Sequence, residues 1–369
     1  MKLTAAHIDL FMEMLSIPSI SRDEGRRADF LEAYLRNTGH RVERVKNNLL
    51  VGTMSALDAQ ENLESKHDPV AKKPVKTLLL NSHIDTVPPT DGWSKDPYSP
   101  VMEGNRITGL GSNDAGASVI ALLATYEALA DVVKDSLNLV LVLSAEEEVS
   151  GQDGISSLVA HLGHVDGAIV GEPTKMQPAI AERGLMVIDA LVKGKAGHAA
   201  RGEGDNAIYK ALEDISEIER LVFTRRSEWL PAPSAQVTMI ASGTKHNVVP
   251  DECRFVVDVR SNDIYSNRDI LDMLKSKCQG QLAPRSMRLN ASSLPEDHFL
   301  HEAIRASGLT PFGSQTLSDM AVIPWPAIKM GPGDSARSHT ADEYISIDEI
   351  EQGVEGYIGF VNTIMTLQT

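Results

Sequence analysis

The sequence is poor in cysteine and in positive charge, and each shortage excludes classes of protein. Its 369 residues include two cysteines, Cys253 and Cys278, too few for a disulfide framework or a zinc finger and consistent with a reducing, cytoplasmic setting. Lys and Arg total 35 against 51 Asp and Glu, a net charge of −16. The chain therefore has no positive surplus for neutralising phosphates, and we expect no nucleic-acid partner.

Long apolar runs are missing as well. Asp9 and Glu13 interrupt the N-terminal segment where a secretion signal has an apolar core, so no signal peptide is predicted. Runs such as residues 139–143 fall far short of the roughly 18 residues of a membrane span, so we expect no membrane contact. With 42% hydrophobic and 23% charged residues the composition is globular, and the length predicts two to three domains.

The order of apolar segments predicts an α/β fold. Short apolar segments typical of strands lie at residues 42–51, 77–80, 137–143 and 167–170. Helical spacing covers residues 5–38 with a break at 17–21, residues 115–130 and residues 347–365. Ser21 or Asp23 is expected to cap the helix after the break. Continuous apolar strands separated by helices indicate a mostly parallel sheet covered on both faces.

The order of predicted strands and helices changes in the middle of the chain, which predicts an inserted domain. Strands are expected at residues 186–192, 235–241, 253–260 and 286–291, and helices at 206–221 and 266–277. This β-α-β-β-α-β order is a split βαβ unit, that is, a ferredoxin-like α+β fold. We therefore expect one discontinuous domain, residues 1–175 with 292–369, and an inserted domain, residues 176–291. The polar residues 54–75 are interpreted as an exposed insertion.

Acidic and histidine clusters follow the predicted strands. They are His83 with Asp85, Asp114 in a glycine-rich segment, residues 146–148, Glu172, and residues 338–343. Because residues two apart on an extended chain face the same way, Asp85 is expected to orient the ring of His83. Ligands of open α/β sheets bind at the carboxyl ends of strands. Histidine with carboxylates suits zinc, cobalt or manganese, and the number of ligands suits two ions.

Each cluster taken alone has an ordinary explanation. A His-x-Asp pair is usually a satisfied pair, three consecutive glutamates are usually a solvated acidic surface, and Gly-Glu-Pro is a common turn. The glycine-rich segment at 109–116 lacks both the Walker pattern and G-x-G-x-x-G. It is the order of the clusters along the chain that favours a shared metal site.

In combination these motifs resemble the M20 family of metallopeptidases and deacylases over nearly the whole chain. The matching stretches are SHIDTVP at 82–88, GLGSNDAG at 109–116, SAEEE at 144–148, VGEP at 170–173, and GPG at 331–333 through His339. The branch they resemble contains acetylornithine deacetylase and succinyl-diaminopimelate desuccinylase. The resemblance implies a zinc-aminopeptidase-like catalytic domain and an inserted dimerisation or lid domain.

The resemblance also implies a metal-binding role for individual positions. His83, Asp114 and Glu172 correspond to the ligands of one Zn²⁺. Asp114, Glu148 and His339 correspond to the ligands of a second Zn²⁺, with Asp114 bridging the two ions. Two Zn²⁺ per subunit are expected, with Co²⁺ as a substitute.

Three further positions in this domain follow from the same resemblance. Asp85 corresponds to the residue behind the first histidine, and Glu147 to the general acid/base. The family usually has Asp-Glu-Glu where this chain has three glutamates, and the preceding Ser-Ala aligns Glu146 with the Asp. Gly333 is expected to offer backbone donors to the substrate.

Residues of the inserted domain are implied to contact substrate. GKAGHA at 194–199 resembles the segment whose histidine enters the partner subunit's active site, so His198 is expected to stabilise an oxyanion in a homodimer. Asn247 and Arg260 resemble substrate-contacting positions, with Arg260 holding a carboxylate. Without the resemblance, His198 reads as a surface histidine and Arg260 as half of a salt bridge. Arg337 is a weaker candidate for the same anchor.

The resulting hypothesis is a cytoplasmic dinuclear zinc amidohydrolase. It would remove an acetyl or succinyl group from an N-acyl amino acid, with N-acetylornithine or N-acylcitrulline of arginine biosynthesis preferred as substrate. Alternatives within the family are a succinyl-diaminopimelate desuccinylase and a dipeptidase or tripeptidase. A non-catalytic metal-bound scaffold is a further alternative, but such a protein would be expected to lack a ligand or the base.

Overall fold

The computed structural model describes residues 3–52 and 75–368, so the insertion predicted at 54–75 lies outside the described residues except for its last position. The chain divides into two compact units. One comprises Met1–Ile180, Leu294–Phe312 and Ser318–Thr369, and the other comprises Ala181–Ser293 and Gly313–Leu317.

The helices and strands are numbered here in chain order. The helices are α1 (Ala5–Ser16), α2 (Gly25–Asn37), α3 (Ala117–Val133), α4 (Val159–Leu162), α5 (Ala207–Glu219), α6 (Asn267–Lys275), α7 (Phe299–Ala306) and α8 (Ile347–Gln368). The strands are β1 (Val42–Val45), β2 (Asn48–Gly52), β3 (Lys76–His83), β4 (Val101–Glu103), β5 (Arg106–Thr108), β6 (Leu137–Ser144), β7 (Gly167–Val170), β8 (Ala179–Glu182), β9 (Met186–Lys193), β10 (Gly197–His198), β11 (Ser234–Ser242), β12 (Val248–Val249), β13 (Glu252–Arg260), β14 (Gln281–Pro284), β15 (Ser292–Ser293), β16 (Phe312–Ser314), β17 (Ala327–Lys329) and β18 (Tyr344–Ser346).

The first unit is built on a sheet whose centre is parallel. Its strands follow the order β1-β2-β6-β3-β7-β17-β8. β3 pairs in parallel with β6 and with β7, and β7 pairs in parallel with β17, whereas β1 and β2 add antiparallel edges. The central strands are apolar on both faces because helices cover the sheet. Their carboxyl ends therefore meet at one edge, and the predicted α/β class is confirmed.

Helix α3 lies in the interior of the first unit. The segment Ser112–Val133 is long and apolar enough to cross a membrane, but its most apolar window is 72% buried inside the protein. Leu122, Leu123 and Tyr126 are among its fully or almost fully buried side chains. Packing within the protein thus accounts for its hydropathy.

The second unit contains a four-stranded antiparallel sheet with the order β11-β13-β9-β14. With helices α5 and α6 between strands, this is the β-α-β-β-α-β topology predicted from the sequence. The side chains of β9 and β13 alternate between buried and more exposed, and a core that includes Phe255, Ile188 and Leu271 fills the space between sheet and helices.

Three local predictions are wrong, each for a local reason. The segment 42–51 is a hairpin rather than one strand, because Lys46 adopts a φ of 58° and the chain turns between β1 and β2. Helix α2 has Glu24 as its N-cap residue, without a side-chain cap, rather than Ser21 or Asp23. The last strand of the second unit ends at Pro284, and the predicted strand 286–291 is absent from the described residues.

The misplaced strand has a physical explanation. Pro284 has no N–H for a ladder, and the backbone bonds that follow are isolated: the Arg285 amide donates to the Val187 carbonyl at 2.9 Å, and the Leu185 amide donates to the Leu289 carbonyl at 2.9 Å. After it, Ser286 Oγ accepts the Arg288 amide, which bends the chain into a turn. The alternating pattern of 286–291 therefore belongs to a loop.

Candidate metal centre and active site

His83 ends β3 at the parallel edge of the sheet, opposite Ser144 of β6. Its Nδ1 lies 3.0 Å from the Asp85 carbonyl oxygen and 3.4 Å from the Asp85 carboxylate. Both side chains are almost completely buried. Asp85 therefore fixes the ring so that Nε2 faces the other acidic residues.

The Asp85 carboxylate also holds the loop that follows β6. It accepts hydrogen bonds from Ser21 Oγ at 2.7 Å and from the amides of Glu147 at 3.1 Å and Glu148 at 3.2 Å. Burial favours the neutral acid, but the hydrogen bonds with His83, Ser21 and the loop outweigh it and lower the pKa of Asp85. One ionised carboxylate thus positions a histidine and two glutamates.

Asp114 stands between the two histidines. His83 Nε2 is 3.3 Å from its Oδ1, and His339 Nε2 is 3.6 Å from its Oδ2. Glu172, after β7, places Oε1 3.8 Å from His83 Nε2. His339 also contacts Glu148, with Nε2 3.0 and 3.2 Å from its two oxygens.

These side chains form overlapping groups whose ligand atoms lie within 4.8 Å of one another. The groups are His83 with Asp114 and Glu172, Asp114 with Glu148 and His339, and His83 with Glu147 and Glu148. The first two have the membership that the sequence resemblance implied for two metal ions. Asp114 is the residue shared by those two groups.

The electrostatics of these side chains fit divalent cations. Burial, together with the charge of Asp114, raises the pKa of Glu172 to about 8, and burial together with Glu172 raises the pKa of Glu147 well above its usual range. Glu172 Oε1 is buried and has no hydrogen-bond partner within the described chain. Buried like charges need compensation, and nitrogen and oxygen donors without thiolates suit zinc, cobalt or manganese.

The pKa of His339 is set mainly by its contact with Glu148. The hydrogen bond with Glu148 raises the pKa of His339 to about 9, against a smaller opposing effect of burial. A cation would replace the proton shared by this pair, since both ligands bind metal in their deprotonated forms.

Glu146, the first of the three glutamates, belongs to none of the metal-binding groups of the described chain. It adopts a φ of 55°, and its amide donates to Glu24 Oε1 at 3.2 Å. It therefore contributes to the turn of the loop rather than to its cluster of ligand atoms.

Two buried carboxylates were not given a role by sequence reasoning. Asp319 accepts from Asn81 Nδ2 at 2.8 Å and from Ser144 Oγ at 2.7 Å, beneath the ends of β3 and β6, and burial raises its pKa to about 6. Glu343 accepts three backbone amides, and burial raises its pKa to about 7. Their partners lie more than 170 residues away in sequence, so no local pattern reveals them.

Gly333 is buried in the first unit with a φ of 93°. A Cβ at this position would lie 2.4 Å from Asn113 Oδ1. Its backbone carbonyl accepts the Lys175 amide at 2.8 Å. Close packing therefore accounts for a glycine at position 333 independently of any contact between its backbone and a substrate.

The substrate-binding residues predicted in the second unit have local partners. His198 is exposed and accepts the Ala200 amide through Nδ1 at 3.2 Å, and the carbonyl of Asn247 accepts the Ala199 amide. Arg260 forms two hydrogen bonds with Asp258, at 2.8 and 3.2 Å. The weaker candidate, Arg337 in the first unit, donates to Glu349 at 2.9 Å.

Arg183 is a cation of the second unit that sequence reasoning missed. Its Nη2 donates to the Arg260 carbonyl and to Ser234 Oγ, each at 3.0 Å. Its Nε is buried and makes no hydrogen bond in the described structure. Burial and the nearby charge of Arg260 lower the pKa of Arg183.

The comparison with known proteins agrees with this geometry. Residues 79–363 match the pattern of Peptidase family M20/M25/M40. A succinyl-diaminopimelate desuccinylase from Parvibaculum lavamentivorans is 26% identical over 380 residues, covering 95% of this chain and 93% of the relative. An acetylornithine deacetylase from Proteus mirabilis is 25% identical over 369 residues, covering 93% of each.

Solved structures share the fold. The aminopeptidase PepT from Bacillus cereus has a TM-score of 0.73 at 20% identity, covering 97% of this chain and 98% of that one. The YXEP protein of Bacillus subtilis, described as a dinuclear metal-binding peptidase from family M20, has a TM-score of 0.68 at 14% identity, covering 99% and 98%.

The fold and the shared ligand groups define a metal-dependent hydrolase. The match over most of its length shows that the chain belongs to peptidase family M20/M25/M40. The predicted family and enzyme class are thereby confirmed.

Proposed function

We propose that the chain is a dinuclear zinc amidohydrolase that removes a small acyl group from the nitrogen of an N-acyl amino acid. The observation that carries this proposal is the pair of ligand groups joined at Asp114, with the buried Glu147 beside them. Relatives that span nearly the whole chain carry the names of two such deacylases. N-acetylornithine or N-acylcitrulline is the preferred substrate, within arginine biosynthesis in the cytoplasm.

The chain's own residues supply binding and proton transfer. Ions held by the two groups would polarise the amide carbonyl and make water a better nucleophile at neutral pH. Glu147 takes the proton of the attacking water and returns it to the departing amine. Burial and the charge of Glu172 raise its pKa, which favours a group that can hold the proton between the two transfers. His198 of a partner subunit stabilises the oxyanion.

Exposed apolar side chains support a homodimer through the second unit. β11 is an edge strand of the four-stranded sheet, and Met239 and Ile240 on it are 65% and 54% exposed. Tyr209 and Leu212 of α5 are 68% and 50% exposed. An unpaired apolar edge is a site of strand addition, and a second copy of this chain is the partner we propose.

The trans role of His198 has a direct test. Glu147→Gln and His198→Ala chains are each expected to be inactive, and a mixture should regain part of the activity, because one site of the heterodimer keeps both groups. The result counts only after exchange of subunits is demonstrated by mass spectrometry. Absence of complementation in exchanged dimers would assign His198 a role within its own chain or none.

Arg260 is proposed to anchor the α-carboxylate of the substrate, which it can hold through two hydrogen bonds. Asp258 holds the same guanidinium, so the substrate competes with this internal partner. Arg285, which makes a similar two-bond pair with Asp189 on the same sheet, is a matched control. We expect Arg260→Ala to lower kcat/KM by roughly 30-fold or more, the loss typical of a charged contact, and Arg285→Ala to leave it within about threefold.

A second candidate substrate is favoured by Arg183. Its buried Nε has no hydrogen-bond partner among the described residues, and its Nη2 donates to the Arg260 carbonyl. Such a donor beside Arg260 favours a substrate with a further carboxylate. Succinyl groups carry one, and acetyl groups do not. An N-succinyl amino acid, such as N-succinyl-diaminopimelate, is therefore the runner-up.

A substrate panel distinguishes these possibilities. The zinc-loaded enzyme is assayed with acetyl- and succinyl-ornithine, acetyl- and succinyl-citrulline, succinyl-diaminopimelate, a dipeptide and a tripeptide, each with the α-carboxylate free or amidated. The proposal predicts cleavage of an N-acyl amino acid and a sharp loss when the carboxylate is amidated. Equal cleavage of free and amidated substrates would contradict it and favour the peptidase alternative.

A further inference from the structure

A buried carboxylate, Glu343, supports the loop that carries Asp114. Glu343 is 2% exposed and lies four residues after His339. Its Oε1 accepts the amides of Asn113 at 2.8 Å and Asp114 at 2.9 Å, and its Oε2 accepts the amide of Gly111 at 2.9 Å. A single side chain thus satisfies three of the four backbone donors of residues 111–114, including the amide of Asp114 itself.

The side chain of Asn113 makes the reverse connection. Its Oδ1 accepts the Asp334 amide at 2.9 Å, and its Nδ2 donates to the Asp334 carbonyl at 3.1 Å and to Ser338 Oγ at 3.3 Å. Asn113 is fully buried. The side chain of Asn113, next to Asp114, therefore binds the segment just before His339. Glu343, four residues after His339, binds the backbone of the loop that contains Asn113 and Asp114. We call these two sets of hydrogen bonds the Glu343–Asn113 brace.

We propose that Glu343 and Asn113 are positioning residues that set the distance between Asp114 and His339 and thereby determine the affinity of the cation held by Asp114, Glu148 and His339. This inference rests on the proposed metal-dependent function of the site. Glu343 belongs to none of the metal-binding groups in the described residues, and the Asn113 side chain is engaged by Asp334 and Ser338. They act on the ligands through the backbone.

The two cation positions are expected to depend on this brace to different degrees. His83 is the last residue of the central strand β3, and Glu172 follows β7, so the sheet holds both of them. His339 lies in a loop, its side chain is 50% exposed, and its imidazole contacts Glu148 and Asp114. Losing the brace should therefore weaken the group with His339 more than the group with His83.

Glu343→Gln is the principal variant. The amide oxygen of Gln can replace Oε1 toward Asn113 and Asp114, but its NH₂ group then faces the donor of Gly111, and a charge is lost. Asn113→Ser is the second variant, because it removes the grip on Asp334 and leaves the amides bound by Glu343 in place. Asp214→Asn is the control, since Asp214 is a buried carboxylate that accepts the amides of Gln279 and Gly280 at 2.8 and 2.9 Å in the second unit.

The measurement is zinc binding rather than turnover. Each full-length chain is stripped of metal, dialysed against a series of buffered free Zn²⁺ concentrations, and assayed for bound zinc by elemental analysis. Wild type should bind two Zn²⁺ per chain. In Glu343→Gln and Asn113→Ser one of the two binding steps should shift to higher free Zn²⁺ by roughly 10- to 100-fold, as for other residues that orient metal ligands, while the other step stays within about twofold. Asp214→Asn should keep both steps.

The outcomes separate the two proposals. A wild-type chain that binds fewer than two Zn²⁺ contradicts the proposed function. A wild-type chain that binds two, with both brace variants binding zinc like wild type, overturns the inference about Glu343 and Asn113. A parallel weakening of both steps would also overturn it, because it would mean general loosening of the fold. If Glu343→Gln lacks the wild-type circular dichroism spectrum, Asn113→Ser decides the question.

Discussion

Glu147 and Glu148 are neighbours in sequence but have different surroundings, which predicts opposite effects of the same substitution. Glu148 contacts His339 and belongs to the ligand group centred on Asp114. Glu147 lies 4.0 Å from His83 Nε2 and is absent from both groups that contain Asp114. Changing either glutamate to Gln keeps the size of the side chain and removes its ability to ionise.

The size of each effect follows from these contacts. A positioned general base contributes roughly 10²- to 10⁴-fold to the rate, equivalent to about 3 to 5 kcal/mol of activation free energy. Glu147→Gln should therefore lower kcat by about that factor and keep two Zn²⁺ per chain. Glu148→Gln replaces the charged partner of His339 by a neutral amide, so it should reduce the zinc content toward one per chain.

The assay combines steady-state kinetics on the best substrate of the panel with elemental analysis of the same preparations. Far-UV circular dichroism controls for folding. The reverse result, with zinc lost from Glu147→Gln and retained by an inactive Glu148→Gln, would refute the assignment and shift the alignment of the three glutamates by one residue. Wild-type kcat in Glu147→Gln would refute a proton-transfer role altogether.

Two further predictions concern stability. Burial opposes ionisation of Glu127, but hydrogen bonds with histidines, including His7 at 2.9 Å, outweigh it and lower its pKa to about 2 from 4.5. Its contribution is therefore nearly complete above pH 4.5 and declines as the pH falls toward 2. Glu127→Gln should cost about 2–3 kcal/mol in urea unfolding at pH 6 and roughly half of that or less near pH 3. A difference that does not depend on pH would contradict the lowered pKa. In Gly333→Ala the new Cβ would clash with Asn113 Oδ1 at a position with a positive φ, so the free energy of unfolding should fall by about 1–3 kcal/mol. Gly359→Ala on α8, where the space around the Cβ is open, should not lower it. Equal effects of the two substitutions would refute the close-packing argument.

The sequence was most informative for candidate metal ligands that lie at the ends of apolar strands. His83 ends the apolar strand β3 and Glu172 lies two residues after β7, and the parallel pairing of β3 with β7 brings these ends together. Because pairing of this kind follows from the alternation of apolar strands and helices, a shared site at this edge could be predicted from the pattern, whereas the assignment of individual residues to two ligand groups came from the family resemblance.

Residues whose partners are distant in sequence could not be predicted in the same way. Asp319 lies 238 residues from Asn81, and Glu343 lies about 230 residues from the amides it accepts. Glu343 stood inside a cluster noted from the sequence, but only the fold shows that its carboxylate faces a backbone turn. Arg27 is similar: it is buried and donates to the carbonyls of Ile17 and of Ile84, the latter 57 residues away in sequence.

Predicted boundaries of strands and helices were wrong where the conformation or contact of a single residue determines the local structure. A positive φ at Lys46 turns one predicted strand into a hairpin. The side chain of Ser21, a plausible helix cap by its type, instead donates to Asp85 at 2.7 Å. Tertiary contacts here override the local preference of the sequence.

The central claim is that two divalent ions, held by ligand groups that share Asp114, are required for amide hydrolysis. Its most direct test is titration of the metal-free enzyme with Zn²⁺, following in one preparation the bound zinc per chain and the rate on the best N-acyl amino acid. The account predicts no activity without metal and a maximal rate as occupancy approaches two Zn²⁺ per chain. Full activity in protein shown by elemental analysis to be free of metal would contradict it.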